Sequence, residues 1–183
     1  SKIRKTIKKF KKEKKIFDNE FSINIKKSLD YELTSDQNNA LNEINNDLKS
    51  DEKMFRLLQG DVGSGKTIVA LISCINVVNS GYQVAFMAPT EILANQHYKL
   101  AQSLLKDKTK IGFLSSKTDY SERKKIIKDL ENNEIKILFG THSVFQEKIN
   151  YKKLGLVVID EQHKFGVKQR KKLSDKGGKN CDV

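Results

Sequence analysis

Cysteine and proline are scarce in this 183-residue sequence, which has two cysteines and one proline. Cys74 and Cys181 are far apart and fit neither a disulfide framework nor a zinc-binding pattern, which favours a reducing cytoplasm. No apolar run approaches the roughly 20 residues that a membrane-spanning helix needs. The lysine-rich N-terminus also lacks the apolar segment of a secretory signal. The sequence therefore predicts a cytoplasmic protein without a membrane partner.

Acidic residues are outnumbered by basic ones, 23 against 35, which gives a formal net charge of +12. Much of the excess lies in residues 1–28, where Ile3, Ile7, Phe10 and Phe17 recur at near-helical spacing. This pattern predicts a basic amphipathic helix over residues 1–17, either packed on the protein surface or contacting DNA. The basic charge indicates a polyanionic partner, although a lysine-rich composition can equally reflect genome base composition.

A glycine-rich stretch at residues 60–67 matches the phosphate-binding pattern G-x-x-x-x-G-K-[ST]. Its members are Gly60, Asp61, Val62, Gly63, Ser64, Gly65, Lys66 and Thr67. An apolar run at residues 54–59 predicts a strand before it, and a helical pattern follows it. In this context the loop amides would surround a polyphosphate, Lys66 would reach the β and γ phosphates, and Thr67 would bind Mg²⁺.

Strand and helix patterns alternate along the rest of the chain. Strands are predicted at residues 82–88, 110–114, 135–139 and 154–159, with helices between them. This alternation is typical of an α/β fold with a parallel sheet flanked by helices. Ligands bind at the carboxyl ends of such strands. Residues 60–67, 89–90, 140–141 and 160–161 all fall at these ends, so we expect them to lie along one edge.

Two acids, Asp160 and Glu161, follow the apolar strand at residues 154–159. In an ATPase, Asp160 would hold the Mg²⁺ that Thr67 binds, and Glu161 would orient the attacking water. A solvated strand end is the alternative. No Asn-Lys-x-Asp motif is present, which argues against a GTPase. A small-molecule kinase would not need the basic residues 1–28, which we call the basic arm. A non-enzymatic basic nucleic-acid-binding module would not need Glu161, but it stays the alternative from another class.

Asp160, Glu161, Gln162 and His163 form a DExH-type box. With the loop at 60–67 and the segments 87–97, 140–142 and 154–167, the chain resembles the RecG-type ATP-dependent DNA helicases over about residues 33–170. The resemblance implies a P-loop (RecA-like) domain and a monomeric, nucleoid-associated bacterial enzyme. Such enzymes use ATP and Mg²⁺ to remodel branched DNA such as forks and Holliday junctions, without sequence specificity. The alternative is a double-stranded DNA translocase of the transcription-repair coupling type.

The resemblance also implies roles for single residues. Gln37 would read adenine and Tyr31 would stack on it, although a helix capping box at Thr34 and Gln37 explains the same pattern. Gln162 and His163 would couple the nucleotide site to the DNA side. No metal ligation is expected of the three histidines, His97, His142 and His163. The residues expected to contact the DNA backbone are Pro89, Thr90, Glu91, Gly140, Thr141 and His142.

The resemblance divides the chain into a basic helix and linker at residues 1–32, from a preceding domain, and a RecA-like ATP-binding domain at 33–183. In this class a further strand lies between the P-loop strand and the strand at 154–159. Cys181, Asp182 and Val183 resemble its first residues, so we expect an incomplete sheet in an internal fragment. Such a fragment would fold poorly, bind ATP weakly and be inactive alone.

Overall fold

Four parallel strands form the sheet of the computed structural model, which describes residues 10–106, 108–161 and 176–183. They are β1 (Gln83–Met87), β2 (Ile111–Leu114), β3 (Ile137–Gly140) and β4 (Leu154–Ile159). Their order across the sheet is β2-β3-β1-β4. Every residue of β1 and β3 is buried, because helices cover both faces of the sheet. The predicted α/β class and parallel sheet are confirmed.

Five α-helices and one 3₁₀ turn accompany these strands within the described residues. They are α1 (Glu20–Lys27), α2 (Ser35–Lys49), α3 (Lys66–Asn79), α4 (Glu91–Leu105), α5 (Tyr120–Glu131) and the 3₁₀ turn His142–Phe145. Polar side chains set the helix starts: Thr34 caps α2, Thr90 caps α4 and Asp119 caps α5. None of the described helices has both the length and the apolar character that crossing a bilayer requires.

Apolar side chains form a core on each face of the sheet. On one face, Leu48 of α2 and Ile72 of α3 belong to the same buried cluster as Phe86 of β1. On the other face, Leu130 of α5 and Val144 of the 3₁₀ turn belong to a second cluster. The two cores hold the strand ends in fixed positions, and the site residues follow directly from those ends.

The basic arm is not helical over residues 10–17, so the helix predicted over residues 1–17 is wrong there. Apart from an isolated antiparallel bridge between Lys11 and Glu52, this segment has no regular secondary structure. Its backbone bonds go to the end of α2 and the residues that follow; for example, Lys15 N–H donates to Leu48 O at 3.1 Å. Tertiary pairing has replaced local helical hydrogen bonds. Residues 1–9 lie outside the described residues, and a helix forms instead at α1, in the predicted linker.

The segment before the glycine-rich loop is not a strand, so the strand predicted at residues 54–59 is also wrong. Its few ladder-type bonds involve Val183, whose N–H donates to Met54 O and whose carbonyl accepts from Arg56 N–H, both at 3.0 Å. Asp182 pairs in parallel with Leu156 of β4. Cys181, Asp182 and Val183 thus lie between β4 and the 54–59 segment, as predicted. This contact is too short to form a regular ladder.

Asp182 is buried beneath the basic arm together with two lysines. Its Oδ2 atom accepts hydrogen bonds from Lys12 Nζ and Lys15 Nζ, both at 2.6 Å, and the three side chains are inaccessible to solvent. Its Oδ1 atom accepts from Met54 N–H at 2.7 Å. Burial lowers the pKa of Lys12 even though Asp182 opposes the shift. We refer to Lys12, Lys15 and Asp182 as the buried ion cluster.

Candidate active site

A cleft of about 830 Å³ separates the glycine-rich loop from the end of β4. Lys66 and Thr67 line it at the loop, and Asp160 and Glu161 line it at the end of β4. The structure therefore brings together four residues that lie nearly a hundred positions apart in sequence. Leu156 and Phe86 continue the cleft into apolar surroundings. A partly apolar cleft with a few convergent polar groups is the usual form of a ligand site.

Two glycines give the loop at residues 60–67 its shape. Gly63 has φ of 80° and Gly65 has φ of 76°, both in the left-handed region where a side chain is disfavoured. A Cβ atom on Gly65 would also lie 2.1 Å from Gln37 Nε2. Helix α3 starts at the next residue, so the positive end of its dipole lies at the loop. This arrangement is suited to binding an anion such as a phosphate group.

The Lys66 ammonium group is bound to the loop itself. Its Nζ atom donates to Gly60 O at 2.6 Å and to Asp61 O at 2.7 Å. These two bonds fold the side chain back over the loop. Both acceptors are neutral carbonyls, and phosphate oxygens would form stronger charge-assisted bonds with the same ammonium group. Lys66 is therefore available to bind phosphates at this position.

Asp160 carries its carboxylate at the cleft directly after β4, where its backbone N–H donates to Met87 O at 2.8 Å. Asp160 Oδ2 lies 2.8 Å from Nε2 of His97 in α4. The hydrogen bond from His97 lowers the pKa of Asp160, and the positive charge of Lys66 lowers it further. Asp160 is thus an ionised carboxylate at neutral pH, as a metal ligand must be.

His97 is a site residue that the sequence alone did not reveal. The sequence predicted only that it would bind no metal. The one signal available was its position in the helix that follows β1, with an apolar residue on the preceding turn. Its partner Asp160 is 63 positions away, so no local pattern could join them.

Glu161 follows Asp160 with φ of 49°, a left-handed conformation that is uncommon for a residue with a side chain. It is half-buried and lines the same cleft as Lys66. The chain therefore turns sharply at the end of β4, and both acids lie at the cleft. The predicted coupling residues Gln162 and His163 lie outside the described residues.

Gln37 uses both ends of its amide within the protein. Its Oε1 atom accepts from Thr34 N–H at 2.9 Å, and Gln37 N–H donates to Thr34 Oγ1 at 3.2 Å, which confirms the capping box. Its Nε2 atom donates to Ser64 O at 2.9 Å. Gln37 thus connects the start of α2 to the glycine-rich loop. Tyr31 lies nearby in sequence with 55% of its surface exposed. Their contact with adenine stays a prediction.

The predicted DNA-contacting residues follow the neighbouring strands β1 and β3. Ala88 N–H donates to Gly140 O at 3.0 Å, so the ends of the two strands are adjacent. Thr90 accepts from Leu93 N–H as the cap of α4. Glu91 accepts from Ser116 N–H, and this bond lowers the Glu91 pKa. These contacts are structural, and they fix the turn in place.

At the start of the turn after β3, the packing of the protein explains why residue 140 is a glycine. A Cβ atom on Gly140 would lie 2.5 Å from Leu114 O and 2.8 Å from Val144 Cγ1, so only glycine fits. Thr141 is half-exposed and His142 is exposed. Both turns lie at the same edge of the sheet as the cleft, as the strand pattern predicted. Their contact with DNA stays a prediction.

The oxygen donors at the cleft fit a magnesium-bound nucleotide. Thr67 offers a hydroxyl group, and Asp160 and Glu161 offer carboxylates, which are the hard ligands that Mg²⁺ prefers. Mg²⁺ is normally held by one or two carboxylates together with phosphate oxygens. The glycine-rich loop supplies a binding surface for those phosphates. The residues present are therefore those that a nucleoside triphosphate with Mg²⁺ would need.

The sequence model of the DEAD/DEAH box helicases matches residues 34–180. The ATP-dependent DNA helicase RecG of Aquifex aeolicus is 49% identical over 172 residues, which cover 93% of this chain and 22% of that protein. RecG of Bacillus subtilis is 48% identical over 162 residues, 88% of this chain and 24% of that protein. The chain thus spans less than a quarter of the length of these relatives.

Solved structures show the same likeness. RecG bound to a three-way DNA junction superposes with a TM-score of 0.80 at 42% identity, over 85% of this chain and 22% of that one. The UvsW helicase of bacteriophage T4 superposes with a TM-score of 0.64 at 15% identity, over 93% of this chain and 60% of that one. At 15% identity, the likeness to UvsW shows only that the two folds are similar.

Proposed function

Because the chain belongs to the DEAD/DEAH box helicase family, which uses ATP, we propose that it provides the ATP-hydrolysing site of a helicase that remodels branched DNA. One observation carries this proposal: Lys66 and Thr67 of the glycine-rich loop line the same cleft as Asp160 and Glu161. A phosphate-binding loop alone would support only nucleotide binding. Two carboxylates opposite it supply what hydrolysis requires.

In the proposed reaction, the loop amides and the N-terminus of α3 bind the phosphates. Lys66 exchanges two loop carbonyls for phosphate oxygens, and its charge stabilises the negative charge of the transition state. Thr67 and Asp160 would hold Mg²⁺, which would neutralise phosphate charge when bound. Glu161 orients the attacking water and accepts its proton. Gln37 and Tyr31 contact the adenine.

The proposed DNA contacts lie at the edge of the sheet shared with the cleft. Amide groups at the start of α4 and in the turn after β3 would donate to DNA phosphates, while Pro89, which has no backbone N–H, would only contact the DNA backbone. The proposed contact residues are Pro89, Thr90, Glu91, Gly140, Thr141 and His142. Such contacts carry no base information, which suits an enzyme that recognises DNA shape. The likeness to RecG, solved on a three-way junction, supports branched DNA as substrate.

The remaining proposals concern coupling, domain boundaries and the cellular setting. Gln162 and His163 would couple nucleotide hydrolysis to DNA movement. We assign residues 1–32 to a linker from a preceding domain and residues 33–183 to the first RecA-like lobe. The working enzyme would be a monomer associated with the nucleoid in the cytoplasm.

The test is ATP hydrolysis by the full-length protein with and without forked DNA. We expect stimulation by the fork, and a fall of about 100-fold or more in Lys66→Ala and in Asp160→Ala. Ser103→Ala, at an exposed position of α4, is the matched control and should retain full activity. Hydrolysis that persists in Lys66→Ala would refute the site, and a rate indifferent to DNA would refute the helicase.

A further inference from the structure

His97 is a buried polar residue whose ring lies between the core and the cleft. Only 8% of its surface is exposed. Its ring packs against Phe86 of β1 with the centroids 5.0 Å apart. A buried imidazole requires a hydrogen-bond partner, because an unmade bond costs free energy. The partner is the Asp160 carboxylate at 2.8 Å.

The contact fixes the direction of the hydrogen bond. Asp160 is ionised and can only accept, so Nε2 of His97 donates to Oδ2. Phe86 limits rotation of the imidazole, and α4 fixes the position of the His97 backbone. Asp160 itself is held through its backbone by Met87. The imidazole is thus rigidly placed, and it limits where the carboxylate can lie.

We infer that His97 is a positioning residue that orients the Asp160 carboxylate for binding Mg²⁺ with the nucleotide. This inference rests on the proposed function. A carboxylate with one oxygen bound by a fixed donor keeps a restricted orientation, which lowers the entropy lost when it binds a cation. His97 also belongs to α4, which begins at the turn proposed to contact DNA. One side chain therefore connects that helix to the proposed magnesium ligand.

The test is binding of a fluorescent ATP analogue to the full-length protein, measured with Mg²⁺ and with EDTA. His97→Leu removes the donor and should weaken binding in Mg²⁺ by about 10- to 100-fold, the usual effect of losing a group that supports a metal ligand. Binding in EDTA should remain within about twofold, because the loop and Lys66 are unchanged. His97→Gln places an amide donor near the Nε2 position and should restore much of the loss.

The matched control is Tyr98→Leu, which removes an aromatic ring from the same turn of α4 without touching Asp160. Tyr98 packs against Phe113 and Phe139. The Tyr98→Leu variant should bind the nucleotide as the wild type does, both with Mg²⁺ and with EDTA. Equal losses with Mg²⁺ and EDTA in His97→Leu would overturn the inference, and so would binding equal to the wild type. Failure of Lys66→Ala to weaken binding would instead contradict the proposed function.

Discussion

Two aspartates next to the same strand have opposite surroundings. Asp160 follows β4, keeps 32% of its side chain exposed and accepts a hydrogen bond from the imidazole of His97 at 2.8 Å. Asp182 pairs with Leu156 within β4, is fully buried and accepts hydrogen bonds from two lysines and a backbone amide. Asp160 retains access to the cleft, whereas the hydrogen bonds of Asp182 are all made within the protein.

The comparison separates a functional carboxylate from a structural one. A buried charge is tolerated only when it is paired, and breaking the pair is costly. Asp182 therefore acts in stability, because it joins the basic arm to β4 and to the segment before the glycine-rich loop. We propose that Asp160 acts in chemistry, because its carboxylate lines the cleft and is available to a ligand. The following substitutions test this division.

The largest effect is expected at Asp182. Asp182→Asn leaves two buried ammonium groups without a counter-charge and should lower the free energy of unfolding by about 3–5 kcal/mol. Urea unfolding measures this loss. Asp51→Asn is the matched control, since Asp51 pairs with Lys11 at the exposed surface and its loss should be within experimental error.

The reactivity of the Cys181 thiol gives a local measure of the stability lost in Asp182→Asn. Cys181 is buried beside Asp182, and burial raises its pKa to about 12, so it should resist thiol reagents at pH 8. Asp182→Asn should expose it, whereas Cys74, in the centre of α3, should stay protected. A variant as stable as the wild type, with Cys181 still protected, would show that the buried ion cluster is not structural.

Substitution of Asp160 should impair activity strongly and stability only slightly, the reverse of the effect of Asp182→Asn. Asp160→Asn removes the charge but keeps the shape, and ATP hydrolysis should fall by about 100-fold or more. The free energy of unfolding should change by only about 1 kcal/mol, since a single partly exposed hydrogen bond is affected. Steady-state hydrolysis and urea unfolding measure the two effects. A loss of stability as large as that of Asp182→Asn would abolish the distinction between the two aspartates.

Lys12 tests the charge balance of the buried ion cluster. Two lysines share one aspartate, so Lys12→Met leaves Lys15 and Asp182 as a neutral pair. The variant loses hydrogen bonds from Nζ to Asp182 Oδ2, Asp47 O and Leu48 O, and we expect a cost of about 2 kcal/mol. Urea unfolding of Lys12→Met beside Asp182→Asn gives the comparison. Equal losses in the two variants would contradict the argument from charge.

The smallest expected effect is the energetic coupling between the two aspartates, measured as the deviation of the double variant from additivity. Asp182 pairs with Leu156, four residues before Asp160, which places the two sites roughly 13 Å apart along the strand. Sites this far apart add within about 0.5 kcal/mol. The double variant Asp160→Asn with Asp182→Asn should therefore lose the sum of the single losses. A larger deviation in urea unfolding would show that the two regions act together.

Local patterns gave correct predictions where the physical cause is local. The capping box at Thr34, the cap at Thr90 and the glycine-rich loop depend on residues within a few positions of one another. The apolar runs became β1 to β4 because a strand covered on both faces is apolar throughout. The convergence of the loop and Asp160 followed from the rule that parallel strands end at one edge.

Long-range pairing explains the predictions that were wrong. The basic arm has helical spacing, but residues 10–17 are not helical because their backbone pairs with the end of α2 and the residues that follow it. The lysines of the arm suggested a solvated or DNA-bound face, and yet Lys12 and Lys15 are buried against Asp182. The strand predicted before the loop was wrong because a regular ladder depends on a neighbouring segment, not on apolar character alone.

The sequence by itself determined the loop, the acidic pair and the positions of β1 to β4 along the chain, because each depends on adjacent residues or on a simple period. Only the tertiary structure decided which carboxylate lines the cleft and which is buried. The contacts that set this difference join Asp160 to His97 across 63 positions and Asp182 to Lys12 across 170. Such pairs have no local signature, because their energy depends on burial and distance, which exist only after the chain has folded.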